Sequence, residues 1–422
     1  MKGDGIKISQ SWNEVIDLLR SEKCWLFLHG IALIGIFYSR ALTTISLALI
    51  VIVGFLGADW SRFRAFYKDR FFIPFALIFL SGCFSILISD NIEAALTSIR
   101  IQLPFLILPM VYFLKGKVSE DFIFHLHSWV IIITVVVGLP VCAYALKHYP
   151  DMLDLLSMGQ PIPTPIEHVK YSMFNAYAIV SGLVILLYSR KTLDSFMKML
   201  VLCGTLFLIF LIHLLAVRTG IVIFYCSLFV FLILTFVKYK TQKITWVFLA
   251  SIILFPIITY KTVPSVKQKI GYVIYDWNQY RQGNGMAYSD SERFMLYRSG
   301  FEVWKKNWLV GVGFGDVRQE VAIDFAQRYE RNSGNKLPHN QYLLFLCGSG
   351  LIGLLIFLIG FYLPFIKSAN LGFAGILIGF LYLNYSLSFL VENSLERSMS
   401  VAYFLLIAMP LLYHISMKHS NR

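Results

Sequence analysis

Apolar runs of about 17–25 residues follow one another along this chain, the length at which a helix crosses the hydrocarbon core of a bilayer. Hydrophobic residues make up 57% of its 422 positions and charged ones 14%, giving a mean hydropathy of +0.68. A soluble fold is excluded. The expected fold is an all-α integral membrane protein of about twelve spans, at residues 25–39, 41–58, 71–89, 96–114, 122–146, 170–189, 197–216, 219–237, 244–260, 341–366, 370–390 and 398–417. Ahead of them, residues 8–22 read as a short amphipathic helix on the membrane surface. Ser11 and Glu14 make a capping box there, and Trp12, Val15, Ile16 and Leu19 share a face. No cleavable signal peptide is expected, because the first residues are polar and the first apolar run begins near Trp25.

A net charge of +13 would suit a nucleic-acid binder, but its distribution follows membrane topology instead. With the amino terminus inside, the cytoplasmic segments hold 19 of the 37 Lys and Arg residues. The short outer segments hold five, Arg40, Lys147, Lys170, Arg218 and Arg397, and Arg100 lies near the outer end of the fourth span. Basic residues gather on the cytoplasmic side of membrane proteins, whereas long loops cross whatever their charge. Both termini are therefore expected inside, and the polar stretch 261–340 outside. The chain divides into a cytoplasmic amphipathic helix at 1–24, spans one to nine at 25–260, the large periplasmic loop at 261–340, spans ten to twelve at 341–417, and a cytoplasmic tail at 418–422. No nucleotide is available on the outer face, so an enzyme there needs a lipid-linked or otherwise pre-activated substrate. No Walker-type glycine loop is present either.

The six cysteines, Cys24, Cys83, Cys142, Cys203, Cys226 and Cys347, lie in or beside apolar runs and lack CxxC spacing. They read as packing thiols, with neither a disulfide frame nor a zinc site. In the long loop, Pro264–Arg281 has helical spacing, Asp290 or Ser291 can cap a second helix through Lys306, and Val317–Arg331 can form a third. Gly283-Asn-Gly285 and Gly311–Gly315 are its breaks, and no internal repeat of the transporter kind is evident.

Three residues at the membrane boundary carry the chemistry that a charged substrate needs. Arg218, in Val217-Arg-Thr-Gly220, is either an interfacial anchor that snorkels to head groups or a phosphate ligand, for which its planar fork of donors is well shaped. Arg293 lies in the first turns of a loop helix with Tyr297 one turn on, and reads as a surface residue or a second ligand. His339, in Pro338-His339-Asn340, stands where the chain re-enters the membrane. It is either structural or a base able to take a proton from a sugar hydroxyl near neutral pH.

The ordered set resembles the O-antigen ligase/polymerase superfamily of bacterial inner-membrane proteins. Its residues here are Arg218 and Gly220; then Arg293, Tyr297, Gly311 and Gly313; then His339, Asn340, Tyr342, Leu343, Gly350 and Gly353. The likeness is strongest over 205–365, and the layout of twelve spans with one large outer loop agrees with it. The chain departs from the family's pattern at Val217 and Thr219 (often Ser and Gly), at Trp308 (usually proline) and at Gly348 (commonly glutamate).

The resemblance implies a GT-C-like glycosyltransferase that works without a metal or other cofactor. It would move a glycan from undecaprenyl diphosphate to a hydroxyl of lipid A–core oligosaccharide on the periplasmic face, inverting the anomeric carbon. Arg218 and Arg293 would hold the diphosphate and His339 would deprotonate the acceptor. Arg100 could add charge, Asn340 and Tyr342 could position His339 or the acceptor, and Tyr297 completes the arginine motif. Tyr272, Tyr275, Trp277 and Tyr280 offer stacking surfaces, and the 147–169 segment could form a lid. The nearest competitor is a polymerase joining lipid-linked repeat units; a protein-directed transferase, a scaffold, and a transporter using His125, His127 and His213 are further ones. A metal-dependent glycosyltransferase would have only Asp90 and Glu93 for its acidic motif.

Overall fold

The computed structural model describes residues 14–188, 193–239, 250, 254, 256–282, 289–330, 334, 336–370 and 372–420. All regular structure among them is helical. The amino-terminal part of the 8–22 helix, most of span 244–260 and the Gly283-Asn-Gly285 break lie outside the described residues.

Seven helices among the described residues are long and apolar enough to cross a membrane, or eight if the bent pair Arg40–Leu56 and Trp60–Lys68 is one span. The protein is a multi-pass membrane protein. Four more apolar helices, Glu22–Tyr38, Arg40–Leu56, Phe72–Ile86 and Phe373–Phe389, have 15–17 residues. At 1.5 Å per residue they rise about 22–26 Å, a little less than a full hydrocarbon core. The stretch 96–114 is two helices, Ile92–Gln102 and Pro104–Lys115, meeting at Leu103. Pro104 has no N–H to donate and crowds the preceding turn, which breaks the ladder there.

The helix His168–Tyr188 is the hub. It packs against Glu120–Lys147, Ser195–Leu215, Arg218–Tyr239 and Phe373–Phe389. Small residues on its surface allow that close approach: a Cβ on Gly220 would stand 2.5 Å from Ser172 Cβ. Asn175 and Asn384 lie in the same buried seam, where Asn384 Nδ2 donates to Met173 O at 2.9 Å. The three histidines that a transporter would need are ordinary helix residues. His127 bonds Ile123 O and the Tyr177 hydroxyl, His213 bonds Ile209 O and the Tyr225 hydroxyl, and His125 bonds Asp121 O. All six cysteines are free.

Side-chain ties sort the connections onto two opposite ends of the bundle. At one end Arg20 Nε donates to Gly57 O, Ser119 N donates to Glu22, and the Tyr413 hydroxyl lies 2.8 Å from both Asp69 Oδ1 and Pro109 O. At the other end lie 90–91, 157–168, 264–282, 289–330, 336–340 and 390–397. There Asp316 accepts from Asp90 N at 2.7 Å and Asn91 N at 3.0 Å, and Lys269 Nζ donates to Gly159 O at 2.8 Å.

Candidate active site

Three loop helices build the site: Pro264–Arg281, Ser289–Lys306 and Val317–Tyr329. The first has the range its hydrophobic spacing predicts. The second begins one residue before the expected cap, and its cap comes from the neighbouring helix. Asp276, 1% exposed, accepts from Asp290 N at 2.9 Å and from the Ser291 hydroxyl. A carboxylate at a helix amino terminus is stabilised by the exposed N–H groups there. The Asp276 charge is thus spent on the helix start and not on the adjoining cavity.

That cavity, of about 490 Å³, lies between the start of helix Arg218–Tyr239, the two loop helices and the turn after Phe373–Phe389. Arg218 and Arg293, 75 residues apart in sequence, both line it, with Tyr297 beside them. Its remaining wall is largely apolar, including Val222, Ile223, Leu387 and Leu390. Arg218 Nη1 is ion-paired with Asp290, which leaves the other guanidinium donors available. Arg293 forms no ion pair among the described residues. Lys269 sits behind the wall. Burial and the charges of Arg218 and Arg293 pull its ammonium down to about 8, against the pull of Asp290.

His339 does not line this cavity but adjoins it through Tyr297, and two side chains fix its turn. The Tyr297 hydroxyl, pushed up to about 12 by burial, is close to both His339 O at 2.8 Å and Leu390 O at 3.0 Å. Asn340 accepts from Leu343 N at 2.9 Å, capping helix Gln341–Ser368, and donates to Leu390 O at 3.1 Å. The ring then faces Glu392, with His339 Nδ1 3.7 Å from Glu392 Oε2. Both atoms are buried without a hydrogen-bond partner. Burial raises the Glu392 carboxyl, but the contact with His339 and the charges of Lys170 and Arg293 outweigh it and hold the group well below the usual carboxylate range. Lys170 is itself buried and paired with Glu167.

The other sequence candidates divide. Tyr342 turns into the membrane, where its hydroxyl meets Tyr362 at 2.7 Å and Tyr362 meets Ser386 at 2.7 Å. Arg100 is exposed on helix Ile92–Gln102 and does not line the arginine cavity. Of the four loop aromatics, Trp277 lines the cavity and Tyr272 is buried. The 147–169 segment forms a helix, Tyr149–Ser157, packed on Pro264–Arg281.

The glycines of the motifs are structural. Helix Gln341–Ser368 breaks at Gly350, whose φ of 65° and ψ of −164° leave the helical region. The orphaned carbonyls are met by the loop: Val312 N donates to Cys347 O at 2.8 Å and Gly313 N to Gly348 O at 3.0 Å, while Leu351 N donates to Trp308 O at 2.9 Å. Broken backbone at membrane depth survives only when its polar groups are paired this way. Gly311, at φ 77°, lies so close that a Cβ would stand 2.5 Å from Cys347 O. Among the described residues no three His, Cys, Asp or Glu side chains gather at a spacing that would hold a metal ion.

Sequence reasoning did not single out Glu392, Lys269 or Asp276, and it placed Lys170 in an outer segment and Asp290 at a helix start without finding their partners. Charge along one chain does not reveal what it pairs with.

Residues 175–358, a little under half of the chain, match the family model for O-antigen ligase. The matched stretch holds Arg218, Arg293 and His339, and it supports the O-antigen ligase/polymerase superfamily. Members of that family are membrane glycosyltransferase-like enzymes, ligases or polymerases. No curated protein matches the chain as a whole.

Proposed function

We propose that this protein is an O-antigen ligase. It transfers a glycan from undecaprenyl diphosphate to a sugar hydroxyl of lipid A–core on the periplasmic face of the bacterial inner membrane. The observation that carries the reading is the arginine cavity: two guanidinium groups lining a largely apolar pocket, with Tyr297 joining it to a histidine that faces a buried carboxylate. A diphosphate on a long hydrocarbon chain has that split character. Arg218 and Arg293 bind the diphosphate, with Lys269 adding charge from behind. The chain thus supplies the cations itself, and the reading needs no metal. The twelve-span count, the GT-C-like architecture, the outer placement of 261–340 and the cytoplasmic termini belong to the same proposal.

In the reaction, His339 takes the proton of the acceptor hydroxyl while that oxygen attacks the anomeric carbon. The bond from that carbon to the diphosphate oxygen breaks, and the leaving group departs with the extra negative charge. Attack from the opposite side inverts the anomeric centre. Glu392 is a positioning residue: it orients the ring through Nδ1, leaves Nε2 for the acceptor, and stabilises the imidazolium that forms. Diphosphate is already a good leaving group, so the arginines act mainly by stabilising its developing charge in a partly dry site.

A strain lacking this gene tests the reading. Bare lipid A–core with full-length polymer accumulating on undecaprenyl diphosphate is the expected gel profile. Core capped by single repeat units would mean a polymerase, and an unchanged profile would remove lipopolysaccharide as the product.

A further inference from the structure

The end of the bundle opposite the arginine cavity carries a segment that the glycosyl-transfer reading does not use. After Arg40–Leu56 the chain turns by 113° into Trp60–Lys68, a 3-10 helix of nine residues, none of them buried. Helices of this kind rarely exceed about four residues, and their side chains eclipse at every third position. The sequence Trp-Ser-Arg-Phe-Arg-Ala-Phe-Tyr-Lys uses that period. Trp60, Phe63 and Phe66 fall on one face, Arg62 and Lys68 on a second, and Arg64 on the third. The turn lays this amphipathic rod across the end of an apolar helix, at the level where a bilayer has its head groups.

The rings fix which face meets the hydrocarbon. Their centroids are 5.9 Å apart for Phe55 and Trp60, 5.6 Å for Trp60 and Phe63, 5.3 Å for Phe63 and Phe66, and 4.7 Å for Phe66 and Phe72. One aromatic stripe thus runs from the end of Arg40–Leu56 to the start of the next apolar helix, Phe72–Ile86. Trp60 and Phe63 stay 53% and 41% exposed, so the protein itself does not cover the stripe. Rings placed in this way rest at the boundary between hydrocarbon and head groups, with flanking basic side chains reaching outward.

The charge on the other faces is unbalanced. Asp59 and Asp69 are the acids of residues 57–70, and both are engaged with helix starts. Asp59 accepts from Ser61 N at 3.2 Å and pairs with Arg62 at 3.4 Å, while Asp69 accepts from Phe71 N at 3.0 Å and Phe72 N at 2.8 Å. Arg64, Lys68 and Arg70 form no ion pair among the described residues, and Nε and Nη2 of Arg70 are buried without a hydrogen-bond partner. Cations that the protein leaves uncompensated call for an anion, and the aromatic stripe beside them places that anion in a lipid surface. We propose that Trp60–Lys68, with Arg70, is an anchor that binds anionic phospholipid head groups in the leaflet at this end of the bundle. A zwitterionic head group brings its own ammonium, so the anchor favours a lipid of net negative charge.

The test uses the full-length protein in nanodiscs. Phosphatidylglycerol or phosphatidylcholine brominated in the acyl chains quenches nearby tryptophan, and the Trp60 signal is the difference between wild type and Trp60→Phe. Phosphatidylglycerol is expected to displace phosphatidylcholine from Trp60 at well below equal mole fraction. Arg64→Gln/Lys68→Gln should weaken that preference by about fivefold for each cation removed, the worth of one basic residue at an anionic surface. Salt at about 0.5 M should weaken it too, while quenching by phosphatidylcholine alone stays unchanged. Equal affinity for the two lipids in wild type, or an undiminished preference in the double variant, would overturn the anchor. Quenching of Trp60 by neither lipid would also overturn it, placing the stripe in water and leaving the cations for a soluble acidic partner. If the double variant does not fold, Arg64→Gln decides alone, with one fivefold loss expected.

Discussion

The arginine cavity and a second hollow of about 310 Å³ beside helix Ile92–Gln102 differ in the balance of apolar and polar wall. The arginine cavity is largely apolar, with Arg218 and Arg293 in its lining and the carboxylates Asp276 and Asp290 engaged with the start of helix Ser289–Lys306 and with Arg218, and it suits a charged head on a hydrocarbon chain. The second hollow is smaller and is lined by Glu93, Glu396, Arg318, Thr97 and Ser98. The difference teaches that a cavity fits a lipid-linked diphosphate when its cations stand against an apolar wall and its carboxylates are already engaged.

The largest expected effect comes from the arginine side. Arg293→Ala removes a cation that has no ion-pair partner among the described residues, and it should lower kcat by about 10²–10³, typical for one lost electrostatic donor. Acceptor KM should hardly move. A loss confined to acceptor KM would contradict the assignment of Arg293 to the diphosphate.

A smaller effect is expected from the glycine buckle. Gly350→Ala forces a Cβ within 2.2 Å of Leu309 backbone atoms at a positive φ. Left-handed backbone alone costs about 1–3 kcal/mol for a residue other than glycine. The melting temperature in detergent should fall. An unchanged melting temperature would show that the loop keeps its bonds to Cys347 and Gly348 around the added Cβ.

The smallest expected effect is a slope with pH. Lys269 is protonated below about 8 and neutral above it, in the field of Arg218, Arg293 and Asp290. Donor KM should therefore rise as pH passes upward through 8, and Lys269→Met should flatten that limb. A donor KM that is flat across pH 8 would remove Lys269 from the diphosphate site.

Much of this architecture was legible in the sequence because its causes are local. Span length and the spacing in Pro264–Arg281 each depend on residues close together in the chain. The ordered set of Arg218, Arg293 and His339 was legible through the resemblance. What was hidden depends on contacts far apart in sequence. Asp290 pairs with Arg218, Glu392 faces His339, and Arg318 shares a cavity with Glu93 and Thr97. Nothing in a single chain reports such pairings. Gly311, Gly313 and Gly350 show a further limit: their pattern marks the family, but only the paired backbone reveals that they close a broken helix.

The transfer rate of His339→Ala in nanodiscs, with saturating lipid-linked donor and lipid A–core, is the most direct measurement of the central claim. A catalytic base at His339 requires a fall of about 10²–10⁴, the usual worth of a positioned general base, with donor KM preserved. Turnover close to wild type, or a product that retains the anomeric configuration, would contradict it.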